Sequence, residues 1–242
     1  MAQGRKFAVF DIDGTLIRWQ LYHAVVDNLI KNNVIEGDRF ESIRGARMDW
    51  KRRAPGASFR SYELHVIQAY EQSLAKITPA QLISSFNEVF EEYKDQVYTY
   101  TRDLIAKLKK KEYLLLAISG SQSEIVELIS GYYGFDGFVG TEYKFKDDIF
   151  TGQKIIHAHY KDKALKTLVK RFEVNWNDSL AVGDSKSDIA MLELVKRPIA
   201  FNPEKELFEH AREKGWKIVI ERKNMVYELE SRDGRYELVK TD

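Results

Sequence analysis

Apolar runs of strand length recur along the chain: "FAVF" ending at Phe10, "YLLLAIS" at 113–119, "SLAV" at 179–182, "PIAF" at 198–201 and "WKIVI" at 216–220. They are continuous rather than alternating, which is the pattern of parallel strands buried on both faces. Helical periods lie between them. "RDLIAKLKKK" sets Leu104, Ile105 and Leu108 on one face, "SEIVELISGYYG" follows Ser119, and "KALKTLVKRF" follows Lys161. Strands alternating with helices predict an α/β fold built on a parallel sheet with right-handed crossovers. Ligands of such sheets bind beyond the carboxyl ends of the strands. Asp11, Ser119 and Asp184 each stand just past such an end, so the pattern brings them to one edge.

Residues 18–98 read differently. "LYHAVVDNLI", "SYELHVIQAYEQSLAKI" and "AQLISSFNEVFEEYK" have helical periodicity, and no buried strand interrupts them. The expected organisation is a core from 1–17 and 99–221, an α-helical cap from 18–98 inserted after the first strand, and a C-terminal extension from 222–242. In that extension two β-like runs flank Asp233-Gly234, predicting a β-hairpin at the sheet edge without a catalytic role.

Composition narrows the classes. The net charge is +1, which gives no global field for nucleic acid or a membrane surface. There is no cysteine, so disulfide and thiolate chemistry are excluded. No signal-length or membrane-spanning apolar stretch is seen, and a cytoplasmic protein is expected.

The chemistry concentrates in "DIDGTL", Asp11 to Leu16. Two acids one residue apart at the end of a buried strand are costly unless a cation or an acid–base task uses them. A calcium loop counted from Asp11 would need glycine at its sixth position and glutamate at its twelfth. Leu16 and Tyr22 stand there, so that reading fails. The alternative makes Asp11 a carboxylate nucleophile, competent for phosphoryl transfer through an aspartyl-phosphate. Asp13 then protonates the leaving oxygen and later deprotonates water. "AVGDSKSD" adds Asp184 and, one helical turn on, Asp188. Hard oxygen donors beside phosphate point to Mg²⁺. Asp11, Asp184 and the backbone carbonyl of Asp13 are the expected direct ligands, with Asp188 standing behind them or reaching the ion through a water. For the phosphate, Ser119 and Gly120 offer a hydroxyl and backbone N–H groups at a helix start; Ser121 or Ser123 would cap that helix. Lys161, in register with Leu165 and Leu168, is preferred over Lys163 as the balancing cation, because Lys163 shares a polar face with Lys166, Thr167 and Lys170.

In order, "DIDGTL", the Ser119 strand end, the Lys161 helix and "GDSKSD" resemble the four motifs of the haloacid dehalogenase superfamily. The helical insert and "AFNPEKELFEHAREKGW" are similar to its phosphoserine-phosphatase-like branch, subfamily IB. The resemblance implies a Rossmann-like core, an α-helical cap of the C1 type, Mg²⁺, and hydrolysis of a small phosphomonoester metabolite through Asp11. It implies Asp13 as acid/base, Ser119, Gly120 and Lys161 at the phosphate, and Asp184 at the metal. Phosphoserine phosphatases carry a glutamate shortly after the first motif that meets the substrate's amino group; the matching residue here is the neutral Gln20. Arg44, Arg47 and Arg52 of the cap are candidates for a substrate carboxylate or second phosphate, against the alternative of a solvated helix face. A dehalogenase is disfavoured, since a halide leaving group needs no acid. A phosphotransferase and a non-catalytic phosphate-binding module are the alternatives. His157 and His159 lack further ligands nearby, and a loop or strand face is expected for them.

Overall fold

A computed structural model describes residues 4–36 and 41–241. The strands are β1 Arg5–Phe10, β2 Leu114–Gln122, β3 Gly137–Lys146, β4 Ile149–Ile155, β5 Val174–Gly183, β6 Arg197–Phe201, β7 Lys217–Arg222, β8 Met225–Arg232 and β9 Arg235–Thr241. The helices are α1 Leu21–Lys31, α2 Glu41–Lys51, α3 Phe59–Leu74, α4 Pro79–Tyr93, α5 Thr99–Lys110, α6 Ser123–Tyr133, α7 Lys161–Val169, α8 Ile189–Leu192 and α9 Lys205–Lys214. The strands form one sheet in the order β4-β3-β2-β1-β5-β6-β7-β8-β9. The run from β3 to β7 is parallel, while β4, β8 and β9 add antiparallel.

Strand β1 is central, paired with β2 and β5, and its residues Phe7 to Phe10 are fully buried. The pleat splits them between two cores. Ala8 and Phe10 join Leu115, Ala117, Leu180 and Val182 on the face covered by α5 and α6, through Ile105, Leu108, Ile125 and Ile129. Phe7 and Val9 join Leu114, Leu116 and Ala181 on the other face, under Leu165, Leu168, Met191, Leu192 and Leu207 from α7, α8 and α9. Each such large apolar side chain contributes roughly 1.5–3 kcal/mol on burial.

Between β1 and α5 the chain forms the helical cap, α1 to α4. Its starts follow local chemistry. Ser58 Oγ accepts the Ser61 N–H at 3.0 Å before α3, and Thr78 Oγ1 accepts the Gln81 N–H at 3.3 Å before α4, where Pro79 occupies the first turn. Val25, Leu29, Tyr62, Val66, Leu82, Phe86 and Val89 run into the core on the α5–α6 face. The chain enters and leaves the cap side by side: Arg18 N–H donates to the Gln96 carbonyl at 2.9 Å and Tyr98 N–H to the Leu16 carbonyl at 3.0 Å. Glu221 of β7 then accepts the Thr99 and Tyr100 N–H groups at 3.0 and 2.9 Å, capping α5 as the chain re-enters the core.

At the far edge β8 and β9 form the expected hairpin. Asp233 at φ 49° and Gly234 at φ 75° supply the two left-handed residues of a tight turn. Two strands differ from the sequence reading, which had no element for β3 or β4; they form a hairpin on the opposite edge. "HAH" forms a 3₁₀ turn, His157–Tyr160, leading into α7, in place of a loop or strand face. Among the described residues no helix is long and apolar enough to cross a membrane.

Candidate active site

Strand β1 delivers Asp11 to the carboxyl edge of the sheet, where its N–H donates to the Val182 carbonyl at 3.0 Å. Ile12 is buried in the core, which leaves Asp11 and Asp13 on the opposite side of the chain. The chain then folds back, with the Gly14 N–H on the Ile17 carbonyl at 3.0 Å. Gly14 has φ +78°, and a Cβ there would lie 2.3 Å from Asp184 Oδ2. A side chain at position 14 would therefore push into the carboxylate cluster as well as straining the turn.

Both acids are nearly buried, Asp11 at 5% and Asp13 at 7% exposure. Asp13 accepts the Leu21 N–H through Oδ1 and the Ser119 hydroxyl through Oδ2, each at 2.6 Å. The first bond ties it to the start of cap helix α1, and the second to the end of β2. Ser119 Oγ in turn accepts the Ser121 N–H at 2.9 Å. Gly120 is exposed, and its carbonyl accepts the Thr141 hydroxyl at 2.7 Å. The expected serine cap on α6 is absent: Gln122 occupies the cap position, with no side-chain capping bond.

Lys161, at the start of α7, is 2% exposed and binds two carboxylates, Asp11 Oδ1 at 2.8 Å and Asp188 Oδ1 at 2.5 Å. Lys163 lies elsewhere, with Nζ 4.4 Å from the Tyr160 ring centroid. Asp188 Oδ2 accepts the Asp184 and Ser185 N–H groups at 3.1 and 2.9 Å and the Ser185 hydroxyl at 3.0 Å. Asp11, Asp184 and Asp188 present carboxylate oxygens within 4.8 Å of one another. Asp188 is thus brought into the same cluster as Asp11 and Asp184. Thr15, which the sequence reading did not single out, donates its hydroxyl to Asp184 Oδ1 at 3.3 Å.

The electrostatics follow from crowding acids in a dry place. Burial pushes Asp11 up from the ordinary 3.8 to about 7; Lys161 pulls down, while Asp188 and Asp13 push up. Burial also raises Asp13, against the hydrogen bonds from Ser119 and Leu21. Asp184 is raised well above the usual range by burial and then by Asp11 and Asp188. For Lys161, burial opposes the charge, but Asp11 and Asp188 outweigh it and hold the ammonium above its ordinary value. One ammonium serves several carboxylates, and the remaining donors are hard oxygens of the kind Mg²⁺ takes, so the residues fit a divalent cation.

A carboxyl with a raised pKa binds its proton more tightly in the folded chain, so stability falls as pH rises through the interval from 3.8 to about 7. Urea unfolding in chelator is expected to show that fall for the Asp11 cluster, and Mg²⁺ to reverse it most at the upper end. A metal-free midpoint that rises from pH 5 to 7 with no response to Mg²⁺ contradicts the arrangement.

The cap candidates divide. Arg44 and Arg52 are exposed. Arg47 stands 5.1 Å from the Trp19 ring centroid and 3.7 Å from Asp27, while its buried Nε has no hydrogen-bond partner among the described residues. Gln20 is half-buried at the cap position of α1.

Residues 8–193 match the family model of haloacid dehalogenase-like hydrolases. The chain belongs to this family. Within the haloacid dehalogenase-like hydrolases it is 32% identical to phosphoserine phosphatase SerB1 of Mycobacterium tuberculosis over 143 residues, 57% of this chain and 46% of that protein. The chain thus spans about half the length of that relative. It is 25% identical over 229 residues to a histidinol-phosphatase of Neisseria meningitidis, covering 89% of this chain and 98% of that protein. A solved structure described as a phospho-aspartyl intermediate analogue of phosphoserine phosphatase superposes with a TM-score of 0.60 at 20% identity, covering 91% of this chain and 95% of that one. That likeness shows the fold: a haloacid dehalogenase-like α/β core with an inserted helical cap.

Proposed function

We propose that this protein is a Mg²⁺-dependent phosphatase that hydrolyses a small phosphomonoester through an aspartyl-phosphate on Asp11. One observation carries the reading: Asp11 is held against Lys161 inside a cluster with Asp184 and Asp188, while Asp13 is fixed beside it by Ser119 and Leu21. Phosphatase relatives in the same family support it.

In this reading an Asp11 oxygen forms a bond to phosphorus as the ester P–O bond breaks. Asp13, its proton affinity raised by burial, gives its proton to the leaving oxygen. Asp13 then takes a proton from water, whose oxygen displaces Asp11 from phosphorus and releases phosphate. Lys161 holds the Asp11 carboxylate in place and balances the charge of the phosphoryl group, and the Gly120 N–H meets its oxygens together with Ser119, once the Ser119 hydroxyl turns away from Asp13. Asp11, Asp184 and the Asp13 carbonyl would hold the cation, with Asp188 alongside; when bound, it draws the anionic phosphate and the Asp11 carboxylate together against their repulsion. The domain limits at 17/18, 98/99 and 221/222, a small phosphorylated metabolite as partner, and a cytoplasmic location belong to the same reading.

Turnover of an aryl phosphate is expected to require Mg²⁺ and to vanish in chelator. Full activity in metal-free buffer contradicts the proposal.

A further inference from the structure

The loop that carries Ser119 is a bulge in the sheet. Ile118 of β2 is in register with Val139 of β3, and Gln122 is in register with Thr141. Ser119, Gly120 and Ser121 therefore stand against the single residue Gly140. A bulge leaves its extra residues outside the ladder and re-aims their side chains. The backbone of β3 lies directly beneath it: a Cβ on Gly140 would come within 2.7 Å of Ser123 Cα and 2.9 Å of the Ser121 carbonyl oxygen. Residues freed from the ladder need another restraint if they are to hold one conformation.

The restraint is a side chain of β3. Thr141 is 3% exposed, and its hydroxyl donates to the Gly120 carbonyl at 2.7 Å. The N–H of the same peptide unit, that of Ser121, points the other way and donates to Ser119 Oγ at 2.9 Å. Ser119 is fully buried and donates its hydroxyl to Asp13 Oδ2 at 2.6 Å. Three hydrogen bonds thus run in one direction, from Thr141 through the 120–121 peptide and Ser119 to Asp13. Bonds aligned in this way polarise one another and are stronger together than apart.

The middle link has a use in turnover. Ser119 directs its hydroxyl hydrogen to Asp13 in this structure and to a phosphoryl oxygen once the ester is bound. A hydroxyl hydrogen turns about the Cβ–Oγ bond while its oxygen goes on accepting. The turn keeps its aim only if that oxygen stays where it is. The Ser121 N–H holds the oxygen, and Thr141 holds the peptide that carries the N–H.

We propose that Thr141 is a positioning residue of the phosphate site: it fixes the 120–121 peptide, so that Ser119 Oγ stays in place while its hydrogen passes from Asp13 to a phosphoryl oxygen. The inference rests on the phosphatase reading above. Thr141 acts through Ser119 and does not meet the substrate.

The test uses the full chain with Mg²⁺ and p-nitrophenyl phosphate, and the variant Thr141→Val, which keeps the shape and removes the hydroxyl. Its kcat/KM is expected to fall by about ten- to a hundredfold, between the loss of one hydrogen bond and that of an ångström in placement. Competitive inhibition by inorganic phosphate is expected to weaken in the same variant. Thr141→Ser keeps the hydroxyl and is expected to restore most of both, whereas Thr141→Ala, which lacks it, is expected to behave like Thr141→Val. In a Ser119→Ala background Thr141→Val is expected to cost much less than in the wild type, because the oxygen it positions is gone. Thermal melts identify the folded variants. Wild-type kinetics and phosphate inhibition in folded Thr141→Val or Thr141→Ala overturn the proposal. So do equal losses in Thr141→Val and Thr141→Ser, or a loss of the same size with and without Ser119. Turnover of p-nitrophenyl phosphate that ignores the Thr141 hydroxyl defeats only this inference, and no turnover of any ester by the wild type defeats the phosphatase reading with it.

Discussion

Replacing Asp11 with asparagine is expected to reduce phosphatase turnover by about 10⁶-fold, the scale seen when a covalent nucleophile is removed. The amide nitrogen cannot attack phosphorus, and the remaining amide oxygen is a far weaker nucleophile than a carboxylate. The fold should survive, because the side chain is nearly isosteric and Lys161 keeps its partner Asp188 at 2.5 Å. Removing one acid from a crowded cluster also relieves repulsion, so the Asp11→Asn protein is expected to melt no lower than the wild type in metal-free buffer. Steady-state kinetics with a thermal melt on the same sample check both parts. Residual turnover within about 10²-fold of wild type, far short of the loss of a nucleophile, would assign the nucleophile elsewhere.

Replacing Asp13 with asparagine is expected to cost ~10²–10⁴-fold, the usual contribution of general acid–base catalysis. The loss depends on the leaving group. An alkyl phosphate must have its leaving oxygen protonated and suffers in the first step. An aryl phosphate leaves readily, so its first step suffers less, while the second step still lacks the base that activates water. The amide introduced by Asp13→Asn can keep both contacts: its oxygen accepts the Leu21 N–H, and its nitrogen donates to Ser119 Oγ, a hydroxyl that accepts as well as donates. Little loss of stability is therefore expected alongside the kinetic effect. Comparing alkyl and aryl esters in the variant separates the two: equal losses on both would contradict an acid role for Asp13.

Much of the core was legible because its strands are buried on both faces and read as plain apolar runs, as Phe7–Phe10 and Leu114–Ile118 do. The β3–β4 hairpin was not. Its residues sit at the sheet edge, β4 is mostly exposed, and "TEYKFKDDIFTGQKI" mixes charges with aromatics so that no apolar run stands out. The acids were legible as a short-range motif at a strand end, and Lys161 was legible from its helix face. The contact of Lys161 with Asp188, 27 residues away, depends on the packing of α7 against the Gly183–Asp188 turn and has no local signature. The same holds for the hydrogen bond that the Tyr70 hydroxyl of α3 makes with Gln122 at the end of β2. Gly183 belongs with these long-range features: a Cβ there would lie 2.4 Å from Asp188 Cγ, so the glycine lets the motif fold over its own carboxylate.

The most direct test of the central claim is to catch the phosphoryl group on its residue. The Asp13→Asn protein, mixed with an aryl phosphate and Mg²⁺ and quenched in acid within the first turnover, is examined by intact-protein mass spectrometry. The account predicts a phosphoryl adduct that accumulates, is released by hydroxylamine as an acyl-phosphate, maps to the peptide containing Asp11, and is absent when Asp11→Asn is combined with Asp13→Asn. An adduct that persists in the double variant, or one that maps to Ser119, would contradict it.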